Sequence, residues 1–157
     1  MPSKIGCCSS VSPFQEALNH CRWKKVLKEF LMTVKISDYK DKSFEEILIS
    51  IYEKSKDIKG IGMLTIYDIS AGICRYYHLK IDKVYIVGNG PKRAIQILKL
   101  KTTIHKIGKI KLRYVNVGDL LISLDKKNAK INHKMRISMD GDALESYLCN
   151  WQKRIKK

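Results

Sequence analysis

The sequence predicts a mostly α-helical protein with several helices and a small, basic C-terminal element of β character. Apolar residues recur at helical spacing through most of residues 13–98, and capping signals precede two of these stretches. Residues 109–114 instead alternate strictly between basic and apolar side chains, which is the period of a half-buried strand. With 157 residues, 45% of them hydrophobic, the chain can bury its own core, which excludes a fully disordered protein.

The first helix is predicted over residues 13–33. Ser12 has the position of an N-cap, Pro13 stands at the first helical position, and Gln15 closes a capping box. The apolar residues that follow lie close to one helical face, so this segment is expected to be one continuous helix.

A second capping box predicts the next helix. Ser43 and Glu46 have the required spacing and precede an apolar stripe, which indicates a helix over residues 44–56. Helical spacing of apolar residues predicts a third helix over residues 63–77. Residues 84–87 form a short apolar run that fits a strand or a helical turn equally well.

The segment 88–98 opens a further predicted helix, with Pro91 as the first helical residue. In the alternating segment, the sequence places Lys109, Lys111 and Arg113 on one side of a strand.

A short helix is predicted over residues 119–124. A last helix is expected to begin near Asp140 and to direct its apolar side chains inward; these are Leu144, Tyr147, Leu148 and Trp151.

The domain organisation predicted from these elements is simple. Residues 1–11 are interpreted as a flexible lead and residues 12–157 as a single domain, divided into a core at 43–100 and a basic part at 101–157. No apolar run approaches the ~20 residues of a membrane span, and the N-terminal residues lack a signal-type stretch. We therefore expect a cytoplasmic protein with no membrane partner.

The charge points to polyanionic partners. The formal net charge is +16, and residues 101–135 alone carry nine basic and two acidic groups. This surplus exceeds what solubility requires, so DNA, RNA or an anionic membrane face are the candidate partners on charge alone.

Motifs of metal, cofactor and nucleophile chemistry are weak in this sequence. Cys7, Cys8, His20 and Cys21 could meet at one metal, but their spacing matches no standard zinc finger. The histidines form no paired metal motif, and there is no phosphate-binding P-loop. We expect no metal and no cofactor, and these motifs favour a non-enzymatic protein without deciding against an enzyme.

Two glycine pairs carry the main functional signal. Gly60 and Gly62 precede the third helix, and Gly88 and Gly90 open the next helix. Glycines let a backbone approach a ligand closely, and the unpaired amides of a following helix favour an anion, so each pair is a candidate phosphate seat.

These segments, I-K-G-I-G-M-L-T at 58–65 and G-N-G-P-K-R-A at 88–94, resemble the helix-hairpin-helix motif. Two copies over residues 43–100 resemble the tandem form found in DNA repair, recombination and replication proteins. The resemblance implies backbone-amide contacts to phosphates, without reading of base sequence. The candidate nucleic-acid-binding residues are Lys59, Gly60, Gly62, Thr65, Gly88, Gly90, Lys92, Arg93, Lys109, Lys111 and Arg113.

A second resemblance involves residues 59–73. The Gly-Ile-Gly-x-Leu-x-x-Tyr-Asp pattern there is similar to that of an uncharacterised family of bacterial proteins, and it draws attention to Tyr67 and Asp68.

We predict sequence-independent nucleic-acid binding, to DNA in preference to RNA. The alternatives are a small enzyme or effector that acts on nucleic acids or nucleotides through Tyr67 and Asp68, and a protein–protein adaptor.

Overall fold

The computed structural model describes residues 12–155, which form eight α-helices, a short 3₁₀ helix and one three-stranded sheet. The mostly helical prediction is confirmed. The chain divides into two compact units, Met1–Leu79 and Lys80–Lys157. Residues 1–11, the predicted flexible lead, lie outside the described residues. Among residues 12–155, no helix has both the length and the apolar character needed to cross a bilayer.

The first unit is helical. Its elements are α1 (Gln15–His20), α2 (Lys24–Leu31), the 3₁₀ helix (Ile36–Tyr39), α3 (Phe44–Ser55) and α4 (Met63–Tyr76). The predicted capping box of α3 is confirmed, because the Ser43 hydroxyl accepts from the Glu46 amide at 3.2 Å and the Ser43 amide donates to the Glu46 carboxylate at 2.8 Å. The α3 and α4 bounds agree closely with the predicted helices.

The predicted continuous helix over residues 13–33 is wrong. Helix α1 begins later, at Gln15, with Phe14 at the N-cap, and Cys21 then leaves the helical region with φ −79° and ψ 128°. The Cys21 thiol donates to the Gly60 carbonyl oxygen at 3.7 Å, and the Trp23 ring packs on Gly60. These contacts are made with a turn that is distant in the sequence, which is why helical periodicity did not predict the break.

The second unit combines the sheet with helices. Its elements are β1 (Lys83–Tyr85), α5 (Asn89–Leu98), β2 (Thr103–Ile107), β3 (Ile110–Asn116), α6 (Val117–Lys126), α7 (His133–Ser138) and α8 (Gly141–Arg154). The strand order is β1-β3-β2, and both pairings are antiparallel. The alternating segment is confirmed as β3, although Lys109 lies in the turn before it. Strand β2 and helix α7 were not predicted, because most of their residues are exposed and show no apolar period.

Helices α5, α6 and α8 bury the Val84 and Val115 side of the sheet in one apolar cluster. Leu144, Leu148 and Trp151 are buried in this cluster, as predicted for the last helix. Pro91 is the third residue of α5 and not the first, a position that the first turn tolerates because its amides lack helical partners.

Helix α8 begins in direct contact with β1. The Gly141 amide donates to the Ile81 carbonyl oxygen at 2.6 Å, and a Cβ atom on Gly141 would overlap the Lys83 carbonyl oxygen. This close approach of two backbones requires the absence of a side chain at Gly141.

We expect Gly141→Ala to lower the free energy of unfolding by about 1–3 kcal/mol, because the added methyl group forces α8 away from β1. Urea denaturation measures the change. Gly118→Ala is the matched control, since Gly118 lies in α6 with no atom within 4 Å of the added Cβ, and alanine there raises stability by up to about 1 kcal/mol. Equal effects of both substitutions would contradict the close approach.

Candidate nucleic-acid interface

The first glycine pair forms the turn between α3 and α4. Gly60 has φ 102°, a conformation that L side chains rarely adopt, and Gly62 is the N-cap of α4. Gly62 is exposed, and a Cβ atom there would meet nothing within 4 Å. Lys59, immediately before the turn, is also exposed. The backbone of this turn is therefore open to a ligand at Gly62.

The Thr65 side chain is less accessible to a ligand at the α3–α4 turn than its position in the sequence indicates. It lies in the first turn of α4, but it is only 7% exposed. Its side chain faces the interior of the first unit, so the accessible groups around this turn are the Gly62 backbone and the Lys59 ammonium.

Trp23 is a surface residue that the sequence reasoning missed. Its Cγ lies 2.8 Å from the position that a Cβ on Gly60 would take, and the residue is 49% exposed. Arg22 and Lys24, its neighbours in the chain, are exposed as well. The available signal was the run R-W-K-K at 22–25, in which an aromatic residue lies among cations.

Tyr67 and Asp68 lie inside the first unit. The Tyr67 ring, 1% exposed, packs edge-on against Phe44 with ring centroids 5.9 Å apart. Asp68 is 4% exposed, and its carboxylate is 2.9 Å from Nδ1 of His20, whose side chain is half-exposed. Burial raises the pKa of Asp68, and the hydrogen bond and charge of His20 oppose this rise. The carboxylate already has a partner within the protein.

Metal ligands do not cluster in the part of the chain that the structure describes, since residues 12–155 contain no group of three or more His, Cys, Asp or Glu side chains suited to an ion. Cys7 and Cys8, which the sequence combined with His20 and Cys21, lie outside the described residues.

The second glycine pair lies at the start of α5. Gly88 is the N-cap of α5 and has φ 86°, a left-handed conformation that suits glycine. Gly90 lies inside the helix, where a Cβ atom would come within 2.7 Å of the Cys149 sulfur. Gly90 therefore allows α5 to pack on α8. In the same turn, Lys92 is exposed and Arg93 is half-buried.

Strands β2 and β3 form a basic ribbon, which we define as Lys106, Lys109, Lys111 and Arg113. Lys106 and Lys111 are directly opposite each other, so they project from the same face, and Arg113 projects from that face two residues further along β3. Lys109 lies in the turn next to Gly108. All four cations are exposed.

The connection from β1 to α5 lies toward the turn end of this ribbon. β1 is antiparallel to β3, and the Ile86 amide donates to the Arg113 carbonyl oxygen at 2.8 Å, just before the chain enters α5. The chain enters α5, which carries Lys92 and Arg93, a few residues after this contact, within the second unit.

No acidic residue interrupts this region of the sequence. Between Asp82 and Asp119 the chain carries nine Lys or Arg residues and no Asp or Glu. Among the residues described, 12–155, the three lysines of the basic ribbon form no ion pair, whereas Arg113 donates to the Thr102 hydroxyl at 3.1 Å. The ribbon therefore presents uncompensated positive charge to solvent.

Comparisons with family models, with curated proteins and with solved structures find no match for this chain. Functional evidence therefore comes from the geometry and charge of the two units alone.

We expect the stability of the protein to depend on the titration of Asp68. Because its folded-state pKa is raised above the ordinary value of 3.8, the folded chain binds a proton more readily than the unfolded chain, and this contribution to stability is lost as the pH rises through the folded pKa. Asp68→Asn removes that loss. The difference in free energy of unfolding between variant and wild type should shift in favour of the variant as the pH rises above 3.8.

Chemical denaturation at a series of pH values measures this difference. Asp57→Asn, which removes an exposed carboxyl of the same unit, is the control. A difference between Asp68→Asn and wild type that is constant with pH, or that shifts in favour of wild type, would show that burial does not dominate the titration of Asp68.

Proposed function

We propose that this protein binds nucleic acid without reading base sequence, and that the basic ribbon contacts phosphates. The observation that carries the proposal is the pairing of Lys106 directly opposite Lys111 on an exposed face with no acidic neighbour along the chain. Like charges in this position destabilise a strand pair, and a bound phosphate between them relieves the repulsion. A polyanion is therefore the ligand that this surface fits best.

The shape of the ribbon also supports this function. A two-stranded antiparallel ribbon is narrow enough to enter the major groove of duplex DNA, where lysines and arginines on its edges reach the backbone. Contacts between cations and phosphates position a protein on nucleic acid but carry no sequence information. Lys92 and Arg93, in α5, add positive charge to the same unit.

In the first unit, the exposed Gly62 backbone and Lys59 supply a second set of groups suited to phosphate. Their arrangement between α3 and α4 is compatible with the helix-hairpin-helix resemblance. We also propose that the protein binds DNA in preference to RNA.

Binding is tested by fluorescence anisotropy with labelled mixed-sequence DNA, duplex and single-stranded, and with RNA of the same sequence, over a salt series. We expect the logarithm of the affinity to fall linearly with the logarithm of salt concentration, because phosphate contacts release counterions. The double variant Lys106→Ala/Lys111→Ala should weaken binding and reduce the salt slope by ~1 for each lysine that binds a phosphate in the wild-type complex.

Lys35→Ala/Lys40→Ala removes the same charge from exposed positions in the first unit and is the matched control. Affinity that does not depend on salt, or an equal loss in the control, would falsify the assignment of the ribbon. Tighter binding to RNA than to DNA would overturn the preference for DNA.

The opposed lysines predict that binding and stability change in opposite directions. Lys106→Glu creates an opposite-charge pair with Lys111, so the free energy of unfolding should rise by about 0.2–1 kcal/mol. The same substitution should weaken DNA binding more than Lys106→Ala does, because it adds a negative charge. Urea denaturation and anisotropy on the same preparations measure the two effects, and a variant that loses stability contradicts the observed register.

A further inference from the structure

Trp23 is exposed and yet held in place. Its indole packs on the backbone of Gly60, with Cγ 2.8 Å from the position of a Cβ there, while 49% of the residue remains accessible to solvent. Trp23 is also the N-cap of α2, and its carbonyl oxygen accepts from the Leu27 amide at 3.0 Å. The ring is therefore supported on one side by a turn and at its base by a helix.

The two tryptophans of this chain have different environments. Trp151 is buried in the apolar cluster of the second unit, and packing in this core explains why a large apolar side chain stands there. Trp23 leaves half of a large aromatic surface in water, so that half contributes no burial free energy in the unliganded protein. A ligand that covers the indole gains free energy by burying this surface.

The charge around Trp23 indicates what that ligand is. Exposed Arg22, Lys24 and Lys25 adjoin it in the chain, and exposed Lys59 adjoins the glycine on which it packs. An aromatic ring among cations is the arrangement that binds single-stranded nucleic acid, because a base stacks on the ring while the cations contact its phosphates. An apolar protein partner would leave these cations without compensation.

We propose that Trp23 is a stacking platform for an unpaired base, so that the first unit selects single-stranded over duplex nucleic acid. This inference rests on the proposed nucleic-acid binding and specifies the form of nucleic acid that the first unit prefers. A base within duplex DNA is stacked on both faces and offers no surface to an indole, whereas an unpaired base does.

The test uses the full chain, a 12-nucleotide single strand, the corresponding duplex, and a 12-unit abasic strand with the same phosphate charge. Trp23→Ala is expected to weaken binding of the single strand at least about fivefold. Its affinity for the duplex and the abasic strand should stay within about twofold of wild type, because those interactions are electrostatic. Trp23→Phe retains an aromatic ring and should restore most of the single-strand affinity.

Fluorescence provides a second readout. Stacking quenches tryptophan emission, so the single strand should quench wild-type protein more than it quenches Trp23→Phe, in which only the buried Trp151 remains. The abasic strand should quench both proteins equally. Far-ultraviolet circular dichroism and thermal unfolding verify that each variant is folded.

The outcomes separate this inference from the proposed function. If Trp23→Ala binds the single strand as wild type does, or loses affinity for single strand and duplex equally, the stacking platform is wrong. The role of the basic ribbon is then still tested by the Lys106 and Lys111 variants. If wild-type protein binds none of the three ligands, the proposed function itself fails. Equal wild-type affinity for the base-containing and abasic strands also overturns the stacking platform.

Discussion

The close approach of α8 to β1 and α5 is the constraint on which the second unit depends. A backbone carbonyl oxygen occupies the space of a Gly141 side chain, and the Cys149 sulfur occupies that of Gly90. These contacts place Leu144, Leu148 and Trp151 against the sheet and close the apolar cluster. Strand β3, whose Val115 joins that cluster, is held in register there, and its exposed half carries the basic ribbon.

Close packing also decides which glycines can serve a ligand. A glycine next to a helix start is compatible with a phosphate seat and also with a tight packing contact. Gly62 remains open, while Gly90 is filled by a neighbouring helix and Gly60 by an indole. The candidate groups are therefore side-chain cations in each unit and, in the first unit, an exposed aromatic ring, more than the paired backbone turns.

Charge and stability oppose each other in the ribbon. Lys106 and Lys111 repel one another in the free protein, and the chain supplies no acidic residue between Asp82 and Asp119 to compensate them. A ribbon arranged only for stability would pair opposite charges at this position. Its composition is consistent with a surface whose lowest free energy is reached with a polyanion bound.

The sequence by itself determined the mostly helical class, the capped helix α3, the helix α4 and the alternating strand β3, because capping and periodicity are local properties of the chain. It also determined the positive charge. Only tertiary structure decided that the first helix breaks at Cys21, that Trp23 packs on Gly60 and that Lys106 faces Lys111. Those features depend on residues distant in sequence or on the register of an unpredicted strand, and neither periodicity nor composition encodes such contacts.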